Sequence, residues 1–167
     1  GQNGGAAINA LEPQDFATIY NLTTPAYNPW TGLGITIGVI GRNDLFENGR
    51  DVQDFHTVVG AGNNTFGGAN LNVIVSGPDP GNAGGGEEFE ATLDATWSSA
   101  IAPSAIVDFV ISGGTDTTDG IDLSELYIVE NNLADIMTES FGSCELLNSD
   151  ARLQGVSALA EQAAAQG

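Results

Sequence analysis

The densest run of chemistry-bearing side chains is Gly84-Gly-Gly-Glu-Glu-Phe-Glu-Ala-Thr-Leu-Asp-Ala-Thr-Trp97, where a glycine-rich approach leads into Glu87, Glu88, Glu90 and Asp94. On a helix over Glu87–Ala102, Glu90 and Asp94 stand at i and i+4, on one face and close enough to share a proton. Two carboxylates so placed do not both ionise cheaply, and one of them titrates above its ordinary range. Such a pair serves as a general base in acid, where an imidazole is already protonated. The helix macrodipole offsets part of the repulsion at this end. The same spacing also describes a solvated acidic first turn, which helices commonly carry.

Other candidates are thinner. Asp122 and Glu125 share a helical face, and Gly120-Ile-Asp122 reads best as a helix cap. Asp116, Asp119 and Asp122 are evenly spaced, but they lack the D-x-D-x-D-G pattern and the distal Glu of a calcium loop. His56 and Cys144 occur once each, which excludes Cys/His zinc sites and an internal disulfide. His56 reads as a packed or surface residue, and Cys144 as a small buried one. Gly60-Ala-Gly62 opens like a dinucleotide loop, yet Thr65 stands at the third glycine position and the strand-loop-helix context is missing. Asn21-Leu-Thr23 and Asn63-Asn-Thr65 are formal glycosylation acceptors. There is no G-x-S-x-G elbow and no Gly-Thr-Ser, so the chain offers no serine nucleophile of a familiar kind.

These side chains need elements to position them. Gly34–Ile40, Leu71–Ser76 and Ala105–Ser112 are short, β-branched and apolar on both faces, as strands buried between layers are. Ala134–Ser140 is a weaker fourth. Between and after them, Arg50–Val59, Glu87–Ala102, Asp122–Asn131 and Ser149–Gln166 read as helices. The last has Leu153, Val156, Ala160 and Ala163 as one apolar stripe. Alternating strands and helices predict a parallel α/β sheet with helices on both faces. Glycine and asparagine gather in the loops Gly60–Asn70 and Gly77–Gly86. A helix ending at Gly167 should hand the chain to a further strand, so the sheet is expected to be unfinished within these residues.

Composition narrows the partners. The 167 residues carry 22 Asp+Glu against 3 Lys+Arg, a formal charge of −19. The cations are Arg42, Arg50 and Arg152, and no lysine is present. Nucleic acid and anionic membranes are excluded as partners by the missing basic face. No apolar run is long enough to span a bilayer. Self-repulsion at neutral pH relaxes as carboxylates protonate, which suits acidic or saline surroundings, although an acidic surface also simply confers solubility.

Glu90-Ala-Thr-Leu-Asp94 followed by Ala102-Pro-Ser-Ala105 resembles the sedolisin family of serine-carboxyl peptidases, which includes kumamolisin. That family carries E-x-x-L-D on a helix, then a small-residue Ala-Pro-x-Ala turn into a strand. Leu11-Glu-Pro-Gln-Asp-Phe-Ala-Thr-Ile-Tyr-Asn-Leu22 resembles the opening of its mature catalytic domain, and Gly34–Ile40 its first core strand. Ala134-Asp-Ile-Met-Thr-Glu-Ser-Phe-Gly142 resembles its strand ending in Ser-aromatic-Gly, whose backbone lines the substrate cleft. The resemblance implies a subtilisin-like α/β fold, with residues 1–167 as the N-terminal part of one catalytic domain. It implies an acid-acting, secreted endopeptidase made as an inactive precursor. Glu90 would be the general base, Asp94 would orient it, and Ser140, Phe141 and Gly142 would contact the peptide substrate. A Ca2+ ion is implied too, with its ligands outside this chain.

The chain departs from the family in several places. The Gly-Asp-Ser-Gly and Gly-Thr-Ser segments, which hold the family's oxyanion aspartate and nucleophile, are absent here. Gly41 and Phe141 occupy places where some relatives have a third carboxylate and a Trp. A C-terminal chain cut from the same precursor is therefore the expected partner. Two alternatives remain open: an enzymatically inactive relative, and a calcium-dependent binding module.

Overall fold

A computed structural model describes residues 11–22, 31–60 and 70–167. Its centre is a four-stranded sheet of β1 (Thr36–Gly41), β2 (Asn70–Val75), β3 (Ile106–Ile111) and β4 (Ile136–Thr138), in the order β2-β3-β1-β4. Every pairing is parallel, with Val39 level with Phe109 and with Thr138. Parallel neighbours require crossovers. They are supplied by α2 (Arg50–Gly60), α3 (Gly85–Ile101) and α4 (Gly120–Glu130). A short α1 (Pro13–Ile19) precedes the sheet, and α5 (Asp150–Gln166) follows it.

The apolar-on-both-faces strands are explained by two cores. Val39, Val107, Phe109 and Ile111 meet Val52 of α2 and Ala91 and Ala95 of α3 on one side. Ile40 and Val110 meet Ile121 and Ile128 of α4 on the other. Small residues on α3 let that helix lie close to the sheet, which keeps its acidic face near the strand ends. Gly41 closes β1 where a Cβ would come within 2.6 Å of Phe109 Cζ. No side chain fits at this position while Phe109 fills the space.

The expected strands and helices are all present, with shifts at the ends. Ala134–Ser140 forms only the three residues of β4, because it pairs with β1 alone among the described residues. Asp119, not Asp122, caps α4, its carboxylate accepting from Ile121 N at 3.0 Å. Asp122 is instead taken by Arg152 through two hydrogen bonds, at 2.8 and 2.7 Å. The better-covered side of α5 coincides only in part with its expected stripe. Arg152, Leu159 and Ala163 are its better-covered side, while Leu153 and Val156 remain 38% and 39% exposed. Gln166, donating to the Val129 carbonyl at 3.0 Å, ties the far end of α5 to α4. Residues 61–69, which hold most of the Gly60–Asn70 loop, Ala61 and Gly62 of the dinucleotide-like start and the acceptor Asn63-Asn-Thr65, lie outside the described residues, as does Thr23 of the other acceptor; Gly60 ends α2. Among the described residues, no helix is long and apolar enough to cross a membrane.

Candidate active site

In open parallel sheets, ligands meet the carboxyl ends of the strands. Here those ends bring together Arg42 after β1, Ser140 and Phe141 after β4, and the N-terminal turns of α3 and α4. The path into α3 turns through Gly84 and Gly85 at φ 71° and 69°, left-handed values that a side chain would strain. The loop before it is zipped to the one after β1. The Ala83 amide donates to Asn43 Oδ1 at 2.8 Å, and the Asp44 amide donates to the Gly81 carbonyl at 2.9 Å. The start of α3 is therefore fixed against β1.

From that start Glu87, Glu90 and Asp94 follow at i, i+3 and i+7, so they share one face of the helix. Ser140 Oγ donates to Asp94 Oδ1 at 3.0 Å, joining the segment after β4 to α3. Burial pushes the Asp94 carboxyl above its ordinary range; the Ser140 hydrogen bond pulls it back, and the charge of Glu90 adds to the rise. Arg42 forks onto Glu87, Nε and Nη2 each donating at 2.8 Å. This holds the Glu87 carboxyl below the usual glutamate range. Arg42 also lies 3.7 Å from Asp119 and, with Cζ 5.0 Å from the ring centroid, over Phe141.

Beside this face is a cleft of about 410 Å3, lined by Arg42, Asp119, Asp122, Glu139, Phe141 and Arg152. Gly142 lies on its wall. Glu139 and the buried Glu125 both titrate high, chiefly through desolvation and then through neighbouring acids. The site is thus a set of carboxyl groups of which three, Asp94, Glu125 and Glu139, hold protons more tightly than usual.

No protein-family model and no curated protein matches this sequence. A solved structure does: Pseudomonas sedolisin, described as a serine-carboxyl proteinase complexed with two molecules of pseudo-iodotyrostatin. It matches with a TM-score of 0.75 and 24% identity, over 93% of this chain and 42% of that one. The fold is sedolisin-like. The chain spans less than half the length of that sedolisin chain.

Within the sedolisin-like fold, the residues expected to do chemistry fall into two groups. Glu90, Asp94, Ser140, Phe141 and Gly142 come together at one end of the sheet. Of the remaining candidates, Asp119 and Asp122 line the adjoining cleft and Glu125 is buried beside it, while His56 and Cys144 stand apart. His56 is buried between α2 and α3, its Nε2 2.8 Å from Ser99 Oγ. Since Ser99 Oγ donates to the Ala95 carbonyl at 2.6 Å, it accepts from the imidazole. Cys144 is exposed, contrary to the expected burial, because the chain after β4 runs over the surface into a single 3-10 turn, Glu145–Leu147. The aspartate series is dispersed: Asp119 caps a helix and Asp122 pairs with Arg152. Among the described residues no group of three or more His, Cys, Asp or Glu could hold a metal ion. The Ca2+ implied by the resemblance is expected to find its ligands outside this chain.

Sequence reasoning gave Arg42 and Glu139 no role at the site, and read Glu87 only as part of an acidic first turn and Asp119 only as part of a spaced aspartate series. A usable signal was present in the charge balance. With three arginines among 22 acids, each arginine is bound to be surrounded by carboxylates. One that directly follows a core strand stands at the ligand-binding end of the sheet.

The raised carboxyl groups make a prediction about stability. Between the ordinary carboxylate range and the raised values, the folded chain binds more protons than the unfolded one. Stability therefore falls as pH rises through that window and is regained on acidification. Glu87 works in the opposite sense, losing its contribution as pH falls through its depressed value. Thermal melting at stepped pH should show Tm increasing from neutral into mildly acidic buffer. Glu125→Gln should flatten that increase. A Tm that drops steadily over the same interval would contradict it.

Proposed function

We propose that these residues form the base-bearing portion of an acid-acting serine-carboxyl endopeptidase that hydrolyses peptide bonds. Glu90 takes the proton of a serine hydroxyl as that oxygen attacks the scissile carbonyl carbon. It then returns the proton to the leaving amine as the C–N bond breaks. A water attacks the acyl-enzyme in the second half, its proton passing to Glu90 and then to the departing serine oxygen. Asp94 orients Glu90 and holds the shared proton. Ser140, Phe141 and Gly142 lie along the peptide substrate.

One observation carries the reading. On a sedolisin-like fold, Asp94 sits one turn from Glu90, titrates high through burial, and is gripped by Ser140 from the segment that borders the cleft. A carboxyl pair with one member kept protonated is what base catalysis in acid requires. The −19 charge suits acidic surroundings as well, and the resemblance implies secretion.

The serine and the oxyanion donor lie outside these 167 residues, on a C-terminal segment of the same precursor. That segment would extend the sheet beside β4, whose Ile136 is 52% exposed, and would cover α5, which has no fully buried residue. Denaturing mass spectrometry of the purified, active protein tests this. A second polypeptide carrying Gly-Asp-Ser-Gly and Gly-Thr-Ser, or one longer chain containing both halves, is the expected result. Cleavage by a sample holding only the 17.1 kDa species would overturn it.

A further inference from the structure

The face of α3 that carries Glu87, Glu90 and Asp94 is held at both ends by groups from outside the helix. At Asp94 the contact is direct, through Ser140. About two turns earlier Glu87 is held by Arg42, whose guanidinium also lies over Phe141, the residue that follows Ser140. Glu90 stands between the two grips. Arg42 is itself fixed. The carbonyl of Gly41 before it accepts from the Ser112 amide and from Ser124 Oγ, both at 3.4 Å. The segment after β4 has left the sheet by Ser140, so no ladder bonds hold it.

We propose that Arg42 is a positioning residue: its planar fork on Glu87 and its stack on Phe141 dock the Ser140–Gly142 segment against α3, presenting the Ser140 hydroxyl to Asp94. A bidentate fork fixes direction as well as distance, and a flat cation over a ring adds a second constraint that a lysine ammonium reproduces poorly. The other charged groups around Arg42 are Asp119 at 3.7 Å, with Asp122, Glu139 and Arg152 elsewhere on the cleft wall. None of these reaches the Ser140–Asp94 contact. The consequence for catalysis rests on the peptidase reading of Asp94; the docking itself does not.

Titration of the Asp94 carboxyl by carbon-detected NMR in the intact protein tests the docking without any cleavage. The Ser140 hydrogen bond holds that carboxyl down, so Arg42→Gln should move its midpoint up, as Ser140→Ala does. In the Ser140→Ala background Arg42→Gln should add little. An equal rise in both backgrounds would mean that Arg42 acts on Asp94 through charge alone, and would overturn the proposal. Arg42→Lys keeps the charge and is expected to leave Asp94 high; a wild-type midpoint there would also overturn it. Should Arg42→Gln fail to fold, Phe141→Leu removes the stack with the ion pairs intact. The same rise is expected from it, and an unchanged midpoint refutes the docking. A failure of the peptidase reading would look different, as absent cleavage with these titrations following the expected pattern.

Discussion

Glu90→Gln is expected to abolish peptide cleavage in acid while leaving the fold untouched. The amide is isosteric with the carboxyl group but takes no proton from a serine hydroxyl. Glu90 is only partly buried on a helix whose packing side is Ala91 and Ala95, so the substitution removes no core contact. Loss of a general base costs about 10²- to 10⁴-fold in rate. The loss should fall on kcat with KM little changed, because Glu90 acts on the transition state rather than on substrate binding. Initial rates on an unstructured peptide, beside a melting curve for the same variant, measure both. Retained cleavage removes Glu90 from the mechanism, and a collapsed melting curve would move it into the structural framework. Asp94→Asn should follow the same pattern less steeply, since it acts through Glu90.

The second large effect lies in the sheet. Phe109 is fully buried on β3, and its ring occupies the space above Gly41 at the end of β1. Phe109→Ala leaves a cavity that strands fixed in register on both sides of β3 are poorly placed to close. A cost of about 3–5 kcal/mol follows from large-to-small replacement at such a site. For a chain of this size that is a Tm drop of about 10 °C. Gly41→Ala should also destabilise, by overpacking against the same ring. Since the two effects share one space, the Gly41→Ala penalty should shrink in a Phe109→Leu background. Additive penalties would show that Phe109 and Gly41 do not compete for it.

Much of this architecture was legible from periodicity and composition. Of three runs apolar on both faces, two became β1 and β3, which are covered on both sides, and the third became the edge strand β2, which has no fully buried residue. The Glu90–Asp94 spacing placed both carboxyl groups on one helical face. What escaped reading depends on contacts distant in sequence. Arg152 reaches back to Asp122, a long-range pair that ties the start of α5 to α4. Local propensity has no term for it. The partners of Arg42 escaped for the same reason: they come from α3, α4 and the segment after β4. Cys144 was expected inside because cysteine is usually buried. It lies outside because β4 is three residues long and the chain leaves the sheet early.

The central claim is that a carboxyl pair, not an imidazole, supplies the base. The pH dependence of kcat/KM for peptide hydrolysis by the intact protein tests it most directly. The expected rate is confined to acid and falls as pH rises through the raised titration of Asp94, which holds the shared proton, with no recovery towards neutrality. A rate that climbs through the histidine range to a neutral plateau, or no cleavage at any acidic pH, would contradict it.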